Sequence, residues 1–295
     1  DTCPLFNATD ASEFACKYHD HETQDPKTMA IVSEASKTWI LLQRFEEGGD
    51  EHEGWYLTVP PTWGKVFWRS LIRPGGARPI GLRERQDLDF EAGRPRFPQD
   101  FPGCLSYEQY LLTTSENLRA AWMRRPTQKR LNHAKLGFAE PFKPDFLALW
   151  QRCTGRYANF ESNGLAPIVD LCYSFGSREN LEKNGSKVRP TYAKASTGQY
   201  TLRLPLVPVL ITLEEGGTTL KYNAHVYELD AKKTGSESIG FVTSGSFSYT
   251  RGKCTAIAYI AASHLPTSPN SILVRNVSST EFHIATWELI APIYG

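Results

Sequence analysis

The chain has 295 residues, 40% of them hydrophobic and 12% aromatic, which excludes a disordered tail and allows a substantial core in one large domain or two smaller ones. No run reaches the roughly 18 apolar residues that a membrane-spanning helix needs. The formal net charge of +1 hides an asymmetry: residues 1–53 hold 12 acidic and 4 basic side chains, whereas residues 54–135 hold 14 basic and 7 acidic ones. Such segregation bears on partners more than the total does.

Six cysteines, at positions 3, 16, 104, 153, 172 and 254, include no CxxC pair. They are too sparse for a secreted disulfide framework and read as those of a reducing compartment. The sequons at Asn7, Asn184 and Asn276 then carry no meaning. A start at Asp1, without methionine or a signal-like segment, reads as a processed or trimmed chain.

In chain order, residues 1–28 form an acidic, poorly patterned lead-in; Cys3, Cys16, His19 and His21 match no standard zinc spacing. Residues 29–150 read as a mixed α+β region. Trp39–Leu42 is an apolar run expected as a buried strand, Glu46–Glu53 a surface loop, and Tyr56–Val59 a second strand ended by Pro60-Pro61. Thr62 is placed to cap a helix from Trp63 to Ile72, with Trp63, Val66, Phe67 and Trp68 expected in the core. Lys65, Arg69 and Arg73 recur at i, i+4, i+8 as a basic stripe on that helix. A short charged helix follows Gly81 and stops at Gly93 and Pro95. A longer one runs from Ser106 and breaks before Pro126.

The strongest chemical signal lies where that helix ends. The span RAAWMRRPTQKRLNHAK, Arg119 to Lys135, holds six Lys or Arg (Arg119, Arg124, Arg125, Lys129, Arg130, Lys135), His133 and no acid. Clustered cations beside Gln128 and Asn132 suit phosphate and RNA contacts, and arginine suits bidentate phosphate binding. The competing reading is a solvated or internally ion-paired face.

Residues 151–199 connect, with an apolar piece at Leu165–Phe175 and a polar loop from Gly176 to Arg189. From residue 200 to 295 short apolar strands alternate with glycine turns, the pattern of an antiparallel sheet or barrel. Within it, Ile239–Ile260 reads as two short strands joined by a Ser/Gly-rich bend. Gly245 and Gly252 mark positive φ or close backbone approach, and Arg251 and Lys253 sit at a charged tip.

No GxGxxG, GxSxG or HExxH motif is present. In Gly245–Lys253 six residues separate the glycines where a phosphate loop has four, and Cys254 stands where Ser or Thr is needed. Asp145 and Asp170 are carboxylates without a recognisable partner, and the histidines show no metal spacing. No catalytic residue, metal site or cofactor is therefore expected.

Several motifs in order carry a resemblance. They are Gly54-Trp-Tyr-Leu, Trp63-Gly-Lys-Val-Phe-Trp68, Gly81-Leu-Arg-Glu, Phe97-Pro-Gln-Asp-Phe-Pro102, Arg124-Arg-Pro126 and Lys135-Leu-Gly137. The series resembles the POPLD domain of the largest protein subunit of eukaryotic ribonuclease P and ribonuclease MRP. Gly240-Phe-Val-Thr-Ser-Gly-Ser-Phe-Ser, Arg251-Gly-Lys and Leu273-Val-Arg-Asn are similar to the end of that subunit. That ending also resembles the C-terminal barrel of glycine-cleavage T-proteins.

The resemblance implies an α+β POPLD-containing region followed by an antiparallel β-barrel. It implies a non-catalytic scaffold that holds the catalytic RNA and neighbouring protein subunits, and reaches precursor tRNA indirectly. It also implies a nuclear and nucleolar location, no membrane contact, and a family N-terminal region lying outside this sequence. The residues expected to face RNA are Arg119, Arg124, Arg125, Lys129, Arg130, His133 and Lys135, with Lys65, Arg69, Arg251 and Lys253 as auxiliaries. Two alternatives stand beside it: a folate-dependent aminomethyltransferase-like enzyme, suggested by the barrel, and a protein-only interaction module.

Overall fold

A computed structural model describes residues 38–45, 54–73, 78–155, 168–173, 190–194, 200–215, 218–230, 237–265 and 270–290. The readings for residues 1–28, for the Glu46–Glu53 and Gly176–Arg189 loops and for the Asp170 side chain lie outside what it describes. The chain divides into two compact units, residues 1–85 and 86–295.

In the first unit β1 (Leu41–Phe45) pairs antiparallel with β2 (Gly54–Thr58), Leu41 opposite Thr58. The expected buried strand at Trp39–Leu42 is corrected: β1 starts at Leu41, and Trp39 is 82% exposed, with Ile40, Leu41 and Leu42 also exposed. A two-stranded ribbon buries little by itself, so an apolar run there does not report burial. α1 spans Gly64–Ile72. Its N-cap is Trp63, without a side-chain cap, so Thr62 does not fill the capping role expected of it. Trp63 is buried, Val66 and Phe67 are half-buried and Trp68 is exposed, which leaves one core residue of the four expected. Lys65 and Arg69 are exposed on α1, and Arg73 follows as its C-cap. α2 (Leu82–Glu91) crosses the division between the units, and Gly93 follows it at φ +72°.

The second unit is built around a barrel. Six strands form it: β5 (Tyr200–Leu213), β6 (His225–Tyr227), β7 (Gly240–Ser248), β8 (Lys253–Ala261), β9 (Ser271–Arg275) and β10 (His283–Leu289). Every neighbouring pair is antiparallel, and β10 closes the ring on β5 with Trp287 opposite Ile211. The first half of β5 extends past the ring. There it carries β3 (Ile168–Tyr173) in parallel and β4 (Thr191–Lys194) antiparallel.

Alternation along the strands separates two cores. Val207, Val209, Ile211 and Leu213 of β5 meet Ala256, Ala258 and Ile260 of β8 in one. Leu202, Leu204, Leu206 and Leu210 of β5, with Ile257 and Tyr259 of β8, face the other way. Phe90 of α2, Tyr107 of α3 (Leu105–Met123), and Phe146, Leu149 and Trp150 of α4 (Phe146–Thr154) cover this second set. Both faces of β5 and β8 are thus buried, which is why their sequences read as continuous apolar runs. The fold class is α+β with a closed antiparallel barrel, as the motif resemblance implies.

Two details depart from the sequence reading. Asp145 is not an isolated carboxylate: it caps α4, accepting from the Ala148 amide at 2.9 Å. The Ser/Gly run after Val242 is not the bend, because β7 continues through it to Ser248 with an irregularity between Val242 and Ser244. The turn lies at Tyr249–Gly252, with Gly252 at φ +65°. Gly245 is the close-approach position, since a Cβ there would come within 2.5 Å of the Leu220 carbonyl oxygen.

Candidate nucleic-acid interface

The segment that carries the basic cluster is fixed to the barrel at several points. In the loop before α3, Asp100 is fully buried. One carboxylate oxygen accepts from the Thr243 hydroxyl at 2.6 Å and from the Ser244 hydroxyl, and the other accepts from the Arg96 amide at 2.9 Å and Arg96 Nε at 3.4 Å. The Tyr259 hydroxyl donates to the Asp100 carbonyl. A buried carboxylate is tolerated when its lone pairs are filled in this way.

At the end of α2, Glu91 accepts from the Ser248 and Thr250 hydroxyls at 2.5 and 2.6 Å and from the Tyr249 amide at 2.9 Å. Burial pushes its pKa up, but these hydrogen bonds together hold it below the usual glutamate value. The irregularity at Thr243 and the hydroxyl run that follows thus receive one carboxylate from the end of α2 and one from the loop before α3.

α3 places Arg119 and Trp122 on one face, three residues apart. Beyond Met123 the chain turns back through a 3-10 turn at Thr127–Lys129. Arg130 closes that return: Nη2 donates to the Met123 carbonyl at 2.6 Å and Nε to the Arg125 carbonyl at 2.8 Å. A cation at a helix C-terminus also opposes the negative end of the helix dipole. The Trp122 indole donates to the Leu131 carbonyl at 3.0 Å, and the Arg130 guanidinium lies 5.4 Å from the Trp122 ring centre. Phe142 then meets Trp122 and His133 edge-on at 6.1 and 5.6 Å, with Arg119 at 5.7 Å from its ring centre. These groups line a cleft of about 570 Å³.

Its floor is rooted in the barrel. Phe138 is buried between His225, at 4.7 Å, and Arg275, whose guanidinium lies 4.4 Å from the Phe138 ring centre. Arg275 also lies over Phe282 and Tyr227 and donates to the Tyr227 hydroxyl at 3.2 Å. Asn223, at φ +62°, donates through its amide to the Glu140 and Lys143 carbonyls at 3.2 and 3.1 Å. Burial, then the nearby Arg152 and Arg275 charges, pull the His225 pKa down to about 3, so it is neutral at physiological pH.

The cations expected to face RNA therefore differ in surroundings. Arg119, Arg124, Arg125, Lys129 and Lys135 are exposed, and none of the last four makes an ion pair with another described residue. Arg130 and His133 are half-buried in the cleft wall. Arg251 and Lys253 are exposed at the β7–β8 turn, Arg251 4.0 Å from Glu288. Lys65 and Arg69 are exposed on α1 in the first unit.

Sequence reasoning missed Phe142, Asn223 and Arg275, and took Trp122 as a helix residue only. An aromatic three positions from an arginine at a helix end was the available signal for Trp122. Asn223 and Arg275 gave none, because the loop carbonyls they bond, those of Lys143 and Leu136, lie 80 and 139 residues away. Among the described residues no cluster of His, Cys, Asp or Glu could hold a metal ion, and no helix is long and apolar enough to cross a membrane. The Asn276 side chain is buried and bonded to the Lys221 amide and Thr219 carbonyl, so that sequon has a structural use.

A chain with this barrel, and a helical layer pinned to it through Asp100, matches two family models. Residues 54–146 match the POPLD (NUC188) domain, and residues 230–291 match the POP1 C-terminal domain.

Among curated relatives, it is similar to the Ribonucleases P/MRP protein subunit POP1 of Arabidopsis thaliana, 26% identical over 70% of this chain and 25% of the relative. The Schizosaccharomyces pombe protein of that name is 24% identical over 81% of this chain and 32% of its own length. The human one is 33% identical over 38% of this chain and 11% of its own. The chain thus spans about a quarter to a third of the length of the first two.

Proposed function

We propose that the chain is the RNA-contacting and protein-contacting C-terminal part of a ribonuclease P/MRP protein subunit. It acts without catalytic residues of its own and holds the catalytic RNA of the particle beside its other protein subunits. In that role it supports 5′ processing of precursor tRNA, which it reaches indirectly, and processing of precursor ribosomal RNA, in the nucleus and nucleolus. The observation that carries the reading is the set of exposed cations Arg119, Arg124, Arg125, Lys129 and Lys135 at the end of α3 and on the loop after it, which is tied to the barrel, in a chain matching both family domains. Phosphate neutralisation by such cations makes binding salt-dependent.

The test is fluorescence anisotropy of the chain with a structured RNA across a salt series. Arg124→Glu, Arg125→Glu and Lys129→Glu together should weaken binding and reduce the slope of log affinity against log salt by about 2 to 3. Arg130 is left out of that variant because it closes α3. Unchanged affinity and slope would overturn the assignment of the RNA surface.

A further inference from the structure

Phosphate contacts alone ask only for exposed cations, and Arg124, Arg125, Lys129 and Lys135 meet that need. The cleft beside them is differently built. Trp122, His133 and Phe142 leave their rings half-buried in its wall, in three mutual ring contacts between 5.6 and 6.2 Å. Two guanidiniums lie over those rings, Arg119 on Phe142 and Arg130 on Trp122. Its volume, about 570 Å³, is within the ordinary range for a small-ligand site and exceeds what one planar base fills. Asn132 and Glu140 add an amide and a carboxylate to the lining.

We propose that this cleft takes one unpaired nucleobase of the bound RNA, stacked on the aromatic and guanidinium groups that line it. The inference rests on the RNA-binding reading above and gives it a target: a bulged or looped-out nucleotide rather than continuous duplex. Unstacked bases are recognised in proteins by aromatic rings and arginine planes, with polar groups at the base edge. The carboxylate of Glu140 suits an amino edge of a base. It opposes an acidic peptide, the other occupant that a cationic cleft would admit.

The floor is already ordered by Phe138, Arg275 and Asn223, so seating a base does not require the loop to fold first. Exposed cations flank the cleft on both sides in sequence, Arg124, Arg125 and Lys129 before the lining residues Arg130 to His133, and Lys135 after them.

Three RNAs separate the possibilities: a fully paired hairpin, the same hairpin with a one-nucleotide bulge, and that bulge made abasic. The chain should bind the bulge about tenfold more tightly than the duplex, and the abasic bulge should lose that gain. Phe142→Leu, which keeps apolar volume, should erase the preference while leaving duplex affinity within about twofold, whereas Arg119→Gln, which also removes a cation of the RNA-facing cluster, should erase the preference and weaken duplex binding as well. Arg124→Gln should weaken all three RNAs alike.

Equal affinity for the based and abasic bulges, with duplex binding intact, overturns the base site and leaves the RNA-binding reading standing. Failure to bind any of the three overturns both. Displacement of RNA by a Glu-rich peptide, with no effect of the bulged base, identifies an acidic-peptide groove and overturns the proposal.

Discussion

Two polar regions of the second unit are built in opposite ways. Around Asp100 every charge faces inward: the carboxylate is enclosed, and Thr243, Ser244 and Arg96 fill its oxygens. Around Arg119–Lys135 the cations face outward, and Arg124, Arg125, Lys129 and Lys135 make no ion pair with a described residue. The first arrangement exchanges water for fixed partners and stabilises the fold. The second keeps its cations hydrated and available. The difference shows that the charge asymmetry in the sequence is a poor guide to function until burial separates structural charge from presented charge.

The comparison breaks most sharply at Asp100. Asp100→Ala removes the carboxylate that the Ser244 hydroxyl, Arg96 and the Thr243 hydroxyl share, Thr243 keeping only the Ile257 carbonyl at 3.3 Å, and should cost about 3–5 kcal/mol, read by urea denaturation. A loss under 1 kcal/mol would mean that water replaces the carboxylate and that the region is not closed.

His225 gives the next effect. The unfolded chain takes up a proton on this residue near pH 6.5, whereas the folded chain does so only near pH 3. Stability should therefore fall progressively as pH drops through that window. His225→Phe, which keeps the ring packing, should flatten that part of the profile.

Arg130 belongs to both regions, since it lies in the basic cluster but spends its guanidinium on backbone carbonyls. Arg130→Gln should destabilise the chain by about 1–2 kcal/mol, seen as a lower melting temperature. A silent substitution would return Arg130 to the presented set.

Glu91 sharpens the picture at lower pH. Its folded pKa is depressed, so its contribution is present above the ordinary glutamate value of about 4.5 and is lost as pH falls through the depressed value. Glu91→Gln should remove its share of that acid limb and leave the His225 share, read as a shallower fall of melting temperature with pH. The smallest stability effect is expected at Arg124→Gln, within about 0.5 kcal/mol, with RNA affinity reduced all the same.

Much of the architecture was legible because local signals decided it. Gly93 stopped α2, Pro126 stood beyond the end of α3, and the Gly252 turn and the apolar runs of β5 and β8 marked the barrel. The misreadings came where tertiary partners decide. Trp39–Leu42 is as apolar as a core strand yet lies exposed, and the Ser/Gly run of β7 looked like a bend although its hydroxyls serve Asp100 and Glu91 from within a strand. For the interface, the cations were legible by number alone. The cleft was not, because its rings come from Trp122, His133 and Phe142, and its footing from Arg275, more than 130 residues further on.

β5 has one more consequence. Fourteen residues at about 3.3 Å each give one unbroken strand with a path length of roughly 45 Å. Its far half is a stave of the barrel, and its near half carries β3 and β4. A load applied at the β3–β4 end is therefore carried to the ring along one strand, with no loop between the two places. Such a strand fixes the spacing between its β3–β4 end and the ring.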